Sequence, residues 1–244
     1  MTGGAMVITS VSNEKVKNIR RLLQKKYRAE ENAFLLEGVK PVREAVGNGR
    51  EILYLFGTER ALARVDFGGD KITVSESVFA SVSEEKNPEG VFAAVRRPDT
   101  TPKQSAGRCV LLDGVRDPGN LGAIIRTAAA AGYKQVYLRN CADPFNPKTV
   151  RASMSGIFGV SLYETGGEDF KKFITVPIYA ADMGGENVFS MEKREACVAL
   201  GGEADGLTAE VLAAAEKVVS VPMEKESESL NVAVAAGIMM YALK

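Results

Sequence analysis

The sequence predicts an α/β protein in two parts, the second built on a parallel sheet. Three observations carry that expectation. Short apolar runs alternate with segments of helical periodicity along most of the 244 residues. In the second part, several apolar runs end in loops marked by glycine or proline. Between the parts, Arg96 to Gly107 is polar, carries Pro98 and Pro102, and has no periodicity, as expected of a linker.

In the first part, Val16, Ile19, Leu22, Leu23 and Tyr27 recur at helical spacing, so Asn13–Tyr27 reads as one amphipathic helix with a basic outer face. Phe34-Leu35-Leu36 is a short strand ending at Gly38. Val39–Val46 reads as a helix whose first turn accommodates Pro41. Ile52–Phe56 and Ile72–Val74 read as strands, Ser75–Val82 as a helix and Val91–Val95 as a strand. In the second part, strands are expected at Cys109–Leu112, Gln135–Leu138, Pro177–Ala181, Cys197–Leu200 and Val218–Val221. Helices are expected at Leu121–Ala131, Lys148–Ile157, Thr208–Ala215 and Leu230–Leu243. Such βα alternation implies a parallel sheet covered on both faces, with ligands at the carboxyl ends of its strands. The expected division is residues 1–98, a linker at 99–107, and residues 108–244.

Composition excludes several chemistries. The chain has no histidine, which removes Ser-His-Asp hydrolysis, Cys-His proteolysis and His-ligated metal sites, and no metal is expected. Cys109, Cys141 and Cys197 are odd in number and far apart, as buried reduced thiols would be. No apolar run is long enough to span a membrane and no signal peptide is evident, so a cytoplasmic location is expected. Residues 1–5 read as a flexible leader. Formal charge is zero but uneven: residues 1–106 hold 17 Lys+Arg against 14 Asp+Glu, and residues 107–244 hold 14 against 17. Within Asn13–Arg28, Lys15, Lys17, Arg20, Arg21, Lys25, Lys26 and Arg28 face one anion, Glu14. On composition alone a solvated helix face is the simpler explanation; a phosphate-binding surface is the sharper one.

Three loops carry polar side chains with no evident packing role. The first is Asp113-Gly114-Val115-Arg116-Asp117-Pro118-Gly119-Asn120-Leu121-Gly122, continuing to Arg126. Here Asn120 is either a helix cap or a functional amide. Arg126, in a helix that looks apolar on most sides, needs a partner or a pocket. The second is Leu200-Gly201-Gly202-Glu203-Ala204-Asp205-Gly206-Leu207, whose glycines permit backbone contact with a ligand and whose Glu203 suits a helix start. The third runs from Val221-Pro222-Met223 through an acidic loop to Ser229-Leu230-Asn231, where capping accounts for only one of Ser229 and Asn231. All three follow strands, so they should meet at one sheet edge as a composite site. The glycines fit no dinucleotide fingerprint, and no phosphate-loop Gly-Lys-Ser/Thr occurs.

In order and spacing these loops resemble the three motifs of the SpoU (TrmH-like) RNA 2′-O-ribose methyltransferases of the SPOUT superfamily, and the similarity covers nearly the whole chain. Lys148–Gly156 is similar to a further segment of that family. Ser12–Leu23, Phe34–Gly38 and Pro88-Glu89-Gly90-Val91 resemble its appended, ribosomal-protein-like substrate-binding domain, with Glu89 where the family has Gln. The resemblance implies a trefoil knot in the C-terminal parallel-sheet domain, a homodimer through that domain and a site drawing on both subunits.

It also implies S-adenosyl-L-methionine as cofactor, held by Gly201, Gly202, Val221, Pro222, Met223 and Leu230. The chemistry falls to Asn120, Arg126, Glu203, Ser229 and Asn231. In the family the arginine has been proposed as base. The alternative is that Arg126 clamps the substrate phosphate and stabilises the developing alkoxide, because a guanidinium is effectively always protonated. Lys15, Lys17, Arg20, Arg21, Lys25 and Lys26 become phosphate contacts, with Lys148 and Arg151 as further candidates. The substrate implied is RNA, ribosomal in preference to transfer RNA. A non-catalytic RNA-binding protein keeping the fold, a transfer-RNA ribose methyltransferase and a base methyltransferase of the same topology are the alternatives.

Overall fold

The computed structural model describes residues 7–166, 169–224 and 229–244. The expected leader at residues 1–5 and most of the acidic loop, 225–228, lie outside the described residues. The chain forms two compact units: Met1–Pro98 with Phe145–Arg151, and Asp99–Pro144 with Ala152–Lys244.

In the first unit, α1 (Glu14–Arg21) is capped by Asn13, whose side chain accepts from the Lys15 N–H, and it buries Val16 and Ile19. The single helix expected over Asn13–Tyr27 is broken, and α2 starts afresh at Lys25–Glu30. The reason is a side chain. Arg28 is 2% exposed and its Nη1 donates to the Leu22 carbonyl at 2.9 Å, the acceptor that a continuous helix would give to the Lys26 N–H. There follow β1 (Ala33–Glu37), α3 (Val39–Gly47), β2 (Ile52–Gly57), α4 (Glu59–Leu62), β3 (Lys71–Thr73), α5 (Glu76–Ala80) and β4 (Val91–Arg96). The sheet order is β1-β4-β2-β3, antiparallel except for β2 with β3. The short α4 was not anticipated; Thr58 caps it.

Glu89 has a use in its own right: its carboxylate accepts the Val39 N–H at the start of α3, where the helix dipole favours negative charge. Phe79 and Phe92 stack with centroids 4.8 Å apart beside Phe56. Elsewhere in the unit, Phe34 meets Phe145 at 5.1 Å, and the Arg97 guanidinium lies over the Phe145 ring at 4.7 Å. Arg151 is taken up by Glu37 at 3.5 Å, Glu84 at 3.2 Å and Glu85 at 2.8 Å. Its guanidinium, expected as an RNA contact, is thus engaged by three carboxylates of its own unit. Burial pushes the Glu37 carboxyl above its ordinary range, against the pull of Ser83 and Arg151.

The second unit holds a six-stranded parallel sheet in the order β10-β8-β9-β5-β6-β7. Its strands are β5 (Cys109–Asp113), β6 (Gln135–Arg139), β7 (Ser161–Glu164), β8 (Ile178–Asn187), β9 (Cys197–Gly201) and β10 (Lys217–Ser220). With them go α6 (Pro118–Ala131), α8 (Ala209–Ala214) and the final α9 (Val232–Ala242), whereas α7 (Pro147–Ser153) belongs through Arg151 to the first unit. The edge strand β7 was missed because its run is short. Residues 99–107 are tied to this unit: the Lys103 carbonyl accepts from Tyr137, and the Ala106 N–H donates to Gln135.

Cys109 and Cys197 face each other in register on β5 and β9, fully buried, and burial holds the Cys197 thiol well above its ordinary range. Tyr133 donates to the Met240 carbonyl at 3.3 Å, fastening α9, and burial pushes its hydroxyl up to about 12. β8 bulges: Val218 pairs with Ala180 but Val219 with Glu186, so residues 181–185 loop out of the ladder. Gly185 is needed there, because a Cβ would lie 2.5 Å from the Val219 nitrogen. No helix of the described residues is long and apolar enough to cross a membrane.

The aromatic cluster supports the first unit's core, so Phe79→Ala should lower stability by about 3–5 kcal/mol. Urea denaturation checks this; a loss below about 1 kcal/mol would mean the cluster closes over the gap.

Candidate active site

The sheet order changes direction between β5 and β9, and the crevice beyond their carboxyl ends is where a parallel sheet accepts ligands. There the end of β9 is crowded by backbone on both sides. A Cβ on Gly201 would lie 2.0 Å from the Gly206 carbonyl carbon, and one on Gly202 would lie 2.3 Å from the Gly114 oxygen. These glycines are therefore required first by the packing of the loops against each other. Gly206, at φ +65°, closes the loop by donating to the Gly202 carbonyl at 2.9 Å.

Asp113, at the end of β5, holds this arrangement. Its carbonyl accepts the Gly202 N–H at 2.9 Å, while its carboxylate accepts the Thr208 N–H at 3.0 Å and hydroxyl at 2.6 Å. The carboxylate is 2% exposed and lies 3.6 Å from Arg139, which also donates to Thr208 at 2.8 Å and pairs with Glu210. Neither Asp113 nor Arg139 was among the expected site residues. The available signal was an acidic residue ending an otherwise apolar strand.

The three motif loops converge. Asn120 Nδ2 donates to Glu203 Oε1 at 2.7 Å. Asn231 Nδ2 donates to the same oxygen at 3.1 Å and to Asn120 Oδ1 at 3.0 Å. The caps differ in part from expectation. Asp117, not Asn120, caps α6, accepting the Asn120 N–H at 2.8 Å. Asn231 caps α9 through the N–H groups of Ala233 and Val234, which leaves Ser229 exposed and without that task.

A cavity of about 380 Å³ opens beside this network. Of the expected cofactor residues, Gly201, Gly202, Val221, Met223 and Leu230 line it; Pro222 does not. Glu203, Ser229 and Asn231 also line it. Ala181, Asp182 and Met183, from the β8 bulge, were missed, since a bulge has no signature in strand periodicity. Ala235 and Met239 of α9 were missed because their spacing reads as core. A smaller pocket of about 140 Å³ adjoins, sharing Gly202, Glu203 and Val232 with the cavity and adding Asn120, Arg116, Asp117 and Asp205. Arg126 lines neither. It is exposed, with no hydrogen bond or ion pair among the described residues, so the helix is not closed around it as its apolar neighbours implied.

Residues 107–241 match the SpoU rRNA Methylase family, more than half of the chain. This chain belongs to the SpoU rRNA methylase family. Residues 13–93 match the MRM3-like substrate binding domain. The chain is 34% identical over 246 residues to the 23S rRNA (guanosine(2553)-2′-O)-methyltransferase RlmP of Bacillus subtilis, covering 97% of this chain and 98% of that one. Its fold is similar to an AdoMet-bound rRNA methyltransferase from Sinorhizobium meliloti, with a TM-score of 0.87, 33% identity, and coverage of 98% and 97%. It is also similar to the SpoU methyltransferase AviRb of Streptomyces viridochromogenes in complex with AdoMet, with a TM-score of 0.82, 25% identity, and coverage of 95% and 97%. The α/β architecture with its six-stranded parallel sheet is thus that of SPOUT methyltransferases.

Asp113 is the buried anchor of the Gly202–Thr208 loop. Asp113→Ala should cost about 3 kcal/mol by stripping Arg139 and the Thr208 N–H of their shared acceptor. Thermal denaturation reads this directly; an unchanged midpoint would show that Glu210 alone suffices to hold Arg139.

Proposed function

We propose that this protein transfers the methyl group of S-adenosyl-L-methionine to a ribose 2′-hydroxyl of ribosomal RNA, in the cytoplasm. The observation that carries the reading is the junction of Asn120, Glu203 and Asn231 on the wall shared by cavity and pocket. The cavity fits the cofactor chemically. Its volume lies in the range of small-molecule sites, ~300–1,000 Å³. Among the described residues its lining includes the carboxylates Asp182 and Glu203 and no Lys or Arg, which favours a cationic sulfonium over a polyphosphate. Met183, Met223 and Met239 supply soft apolar walls. Residues 108–244, apart from the segment 145–151 that packs with the first unit, then form the methyltransferase domain, its cofactor loops wrapped in the trefoil knot that the family resemblance implies, and residues 1–98 bind substrate RNA.

When bound, the cofactor supplies an electrophilic methyl for in-line attack by the 2′-oxygen. The chain's task is to orient that oxygen and manage its proton. Ser229, Asn231 and Asn120 position the ribose. Glu203 accepts from both asparagine amides, so its role is to hold the loops in register rather than to act as base. Arg126 clamps the adjacent phosphate and stabilises the developing alkoxide; the proton passes to phosphate or water, since the guanidinium stays protonated.

Arg126 lies six residues beyond Asn120, which on a helix is ~240° around and ~9 Å along. It therefore leaves α6 on a different side from Asn120, and serves a site completed by a second copy of the chain. The exposed apolar residues Val234 and Tyr241, a helical stripe with the half-buried Ile238 on α9, support a homodimer through this domain. In the first unit Lys15, Lys17, Arg20 and Arg21 on α1 and Lys25 and Lys26 on α2 are all exposed, as RNA phosphate contacts must be. Lys148 is exposed as well. The similarity to a 23S rRNA methyltransferase over nearly the whole chain favours ribosomal RNA.

Titration calorimetry with S-adenosyl-L-methionine should show binding to the wild type and to Arg126→Ala alike. Arg126→Lys should keep the cofactor and lose at least about tenfold in single-turnover rate, because a point charge replaces a planar fork. Near-normal turnover would remove Arg126 from the chemistry, and no cofactor binding would remove the methyltransferase reading. Mixing and refolding equal amounts of inactive Arg126→Ala and Asn231→Ala chains should restore about a quarter of wild-type activity if the two residues meet across a dimer. No restoration would place Arg126 in its own chain's site.

A further inference from the structure

The smaller pocket has no occupant in the reading above. We propose that it receives the base of the target nucleotide, that this base is guanine, and that Arg116 and Asp205 read its edge; the proposal rests on the ribose-methyltransferase reading. The pocket shares Gly202 and Glu203 with the cofactor cavity, so whatever enters it lies against the wall where the ribose must sit. Its charged residues are Arg116 against Asp117, Glu203 and Asp205. A phosphate is disfavoured among three carboxylates, and a group rich in N–H donors is favoured.

Two of those carboxylates are already committed. Asp117 caps α6, and Glu203 Oε1 takes both asparagine amides. Arg116 and Asp205 are not. Their side chains come from facing lips, the loop after β5 and the loop after β9, and approach to 3.9 Å with each 76% exposed. Neither has another hydrogen bond or ion pair among the described residues. An ion pair this exposed adds little to stability, so the fold does not account for it. The Gly202–Gly206 bridge fixes the three residues between, with Glu203 bonded to the asparagines and Asp205 opposite Arg116.

Base chemistry selects the occupant. Along its edge, guanine presents N2–H, N1–H, O6 and N7 in order: two adjacent donors, then two acceptors. The two oxygens of a carboxylate match the donors, and the fork of a guanidinium matches the acceptors. Adenine, cytosine and uracil each set a single N–H group beside their acceptors, which leaves one carboxylate oxygen unmatched. A base splayed out of an RNA loop exposes this whole edge at once.

The test uses the full chain, radiolabelled S-adenosyl-L-methionine, and unmodified large-subunit ribosomal RNA, both naked and in isolated subunits. Nucleoside digestion should yield 2′-O-methylguanosine. A synthetic RNA spanning the mapped position, with inosine in place of the target, lacks only the N2 amino group; kcat/KM should fall about tenfold. Asp205→Ala should lower kcat/KM on the guanosine RNA about tenfold, treat both RNAs alike, and leave cofactor affinity by calorimetry unchanged. Methylation of another nucleotide, or an Asp205→Ala enzyme that keeps the wild-type inosine penalty, overturns the proposal while leaving the methyltransferase reading standing. Transfer to neither RNA preparation overturns both.

Discussion

Oε1 of Glu203 accepts from the amides of Asn120 and Asn231, and through that one oxygen three loops remote in sequence are joined. Each partner is itself fixed to a helix start: Asn120 lies in the first turn of α6 and Asn231 caps α9. The cavity, the smaller pocket and the wall between them exist because this junction holds the carboxyl end of β9 against the starts of two helices. The same junction explains why a carboxylate stands beside a site for a cation. It is held there for its acceptors, and its charge is an electrostatic complement that comes with them.

That junction works only if the backbones beneath it come close. Gly202 and Gly114 are in contact that leaves no space for a side chain, and Asp113 fastens both ends of the loop that carries Glu203. The buried carboxylate is neutralised by Arg139 and by hydrogen bonds, the conditions under which a charge can be kept out of water. Flexibility in this region is confined by chemistry on both flanks, as in-line transfer requires when reacting atoms must be aligned to within a fraction of an ångström.

Much of this was legible in the sequence, and the parts that were not have physical causes. Apolar runs ending in glycine or proline marked β5, β9 and β10 and the loops after them, because a buried parallel strand leaves a continuous apolar trace. Polar residues without a packing role marked Asn120, Glu203 and Asn231. Which of them capped a helix was not legible, since Asp117 and Asn120 both suit that position and only the geometry decides. The break between α1 and α2 depends on Arg28 reaching a carbonyl six residues back, a contact that periodicity does not encode. The bulge in β8 that brings Asp182 and Met183 to the cavity appears in the sequence only as the pair Gly184-Gly185. Arg151 looked like any basic surface residue until Glu37, Glu84 and Glu85 were found around it.

Residues 145–151 belong to the first unit although they follow β6 of the second. The ring of Phe34 rests on Phe145, and Glu37 depends on Arg151 for its counter-charge. During synthesis, therefore, the first unit cannot finish folding when residue 98 leaves the ribosome. It must wait, with Phe34 lacking its partner, until the strands β5 and β6 and the segment beyond them have been made. The order of translation and the order of folding are thereby uncoupled, and the two units mature as interleaved steps of one process rather than in succession.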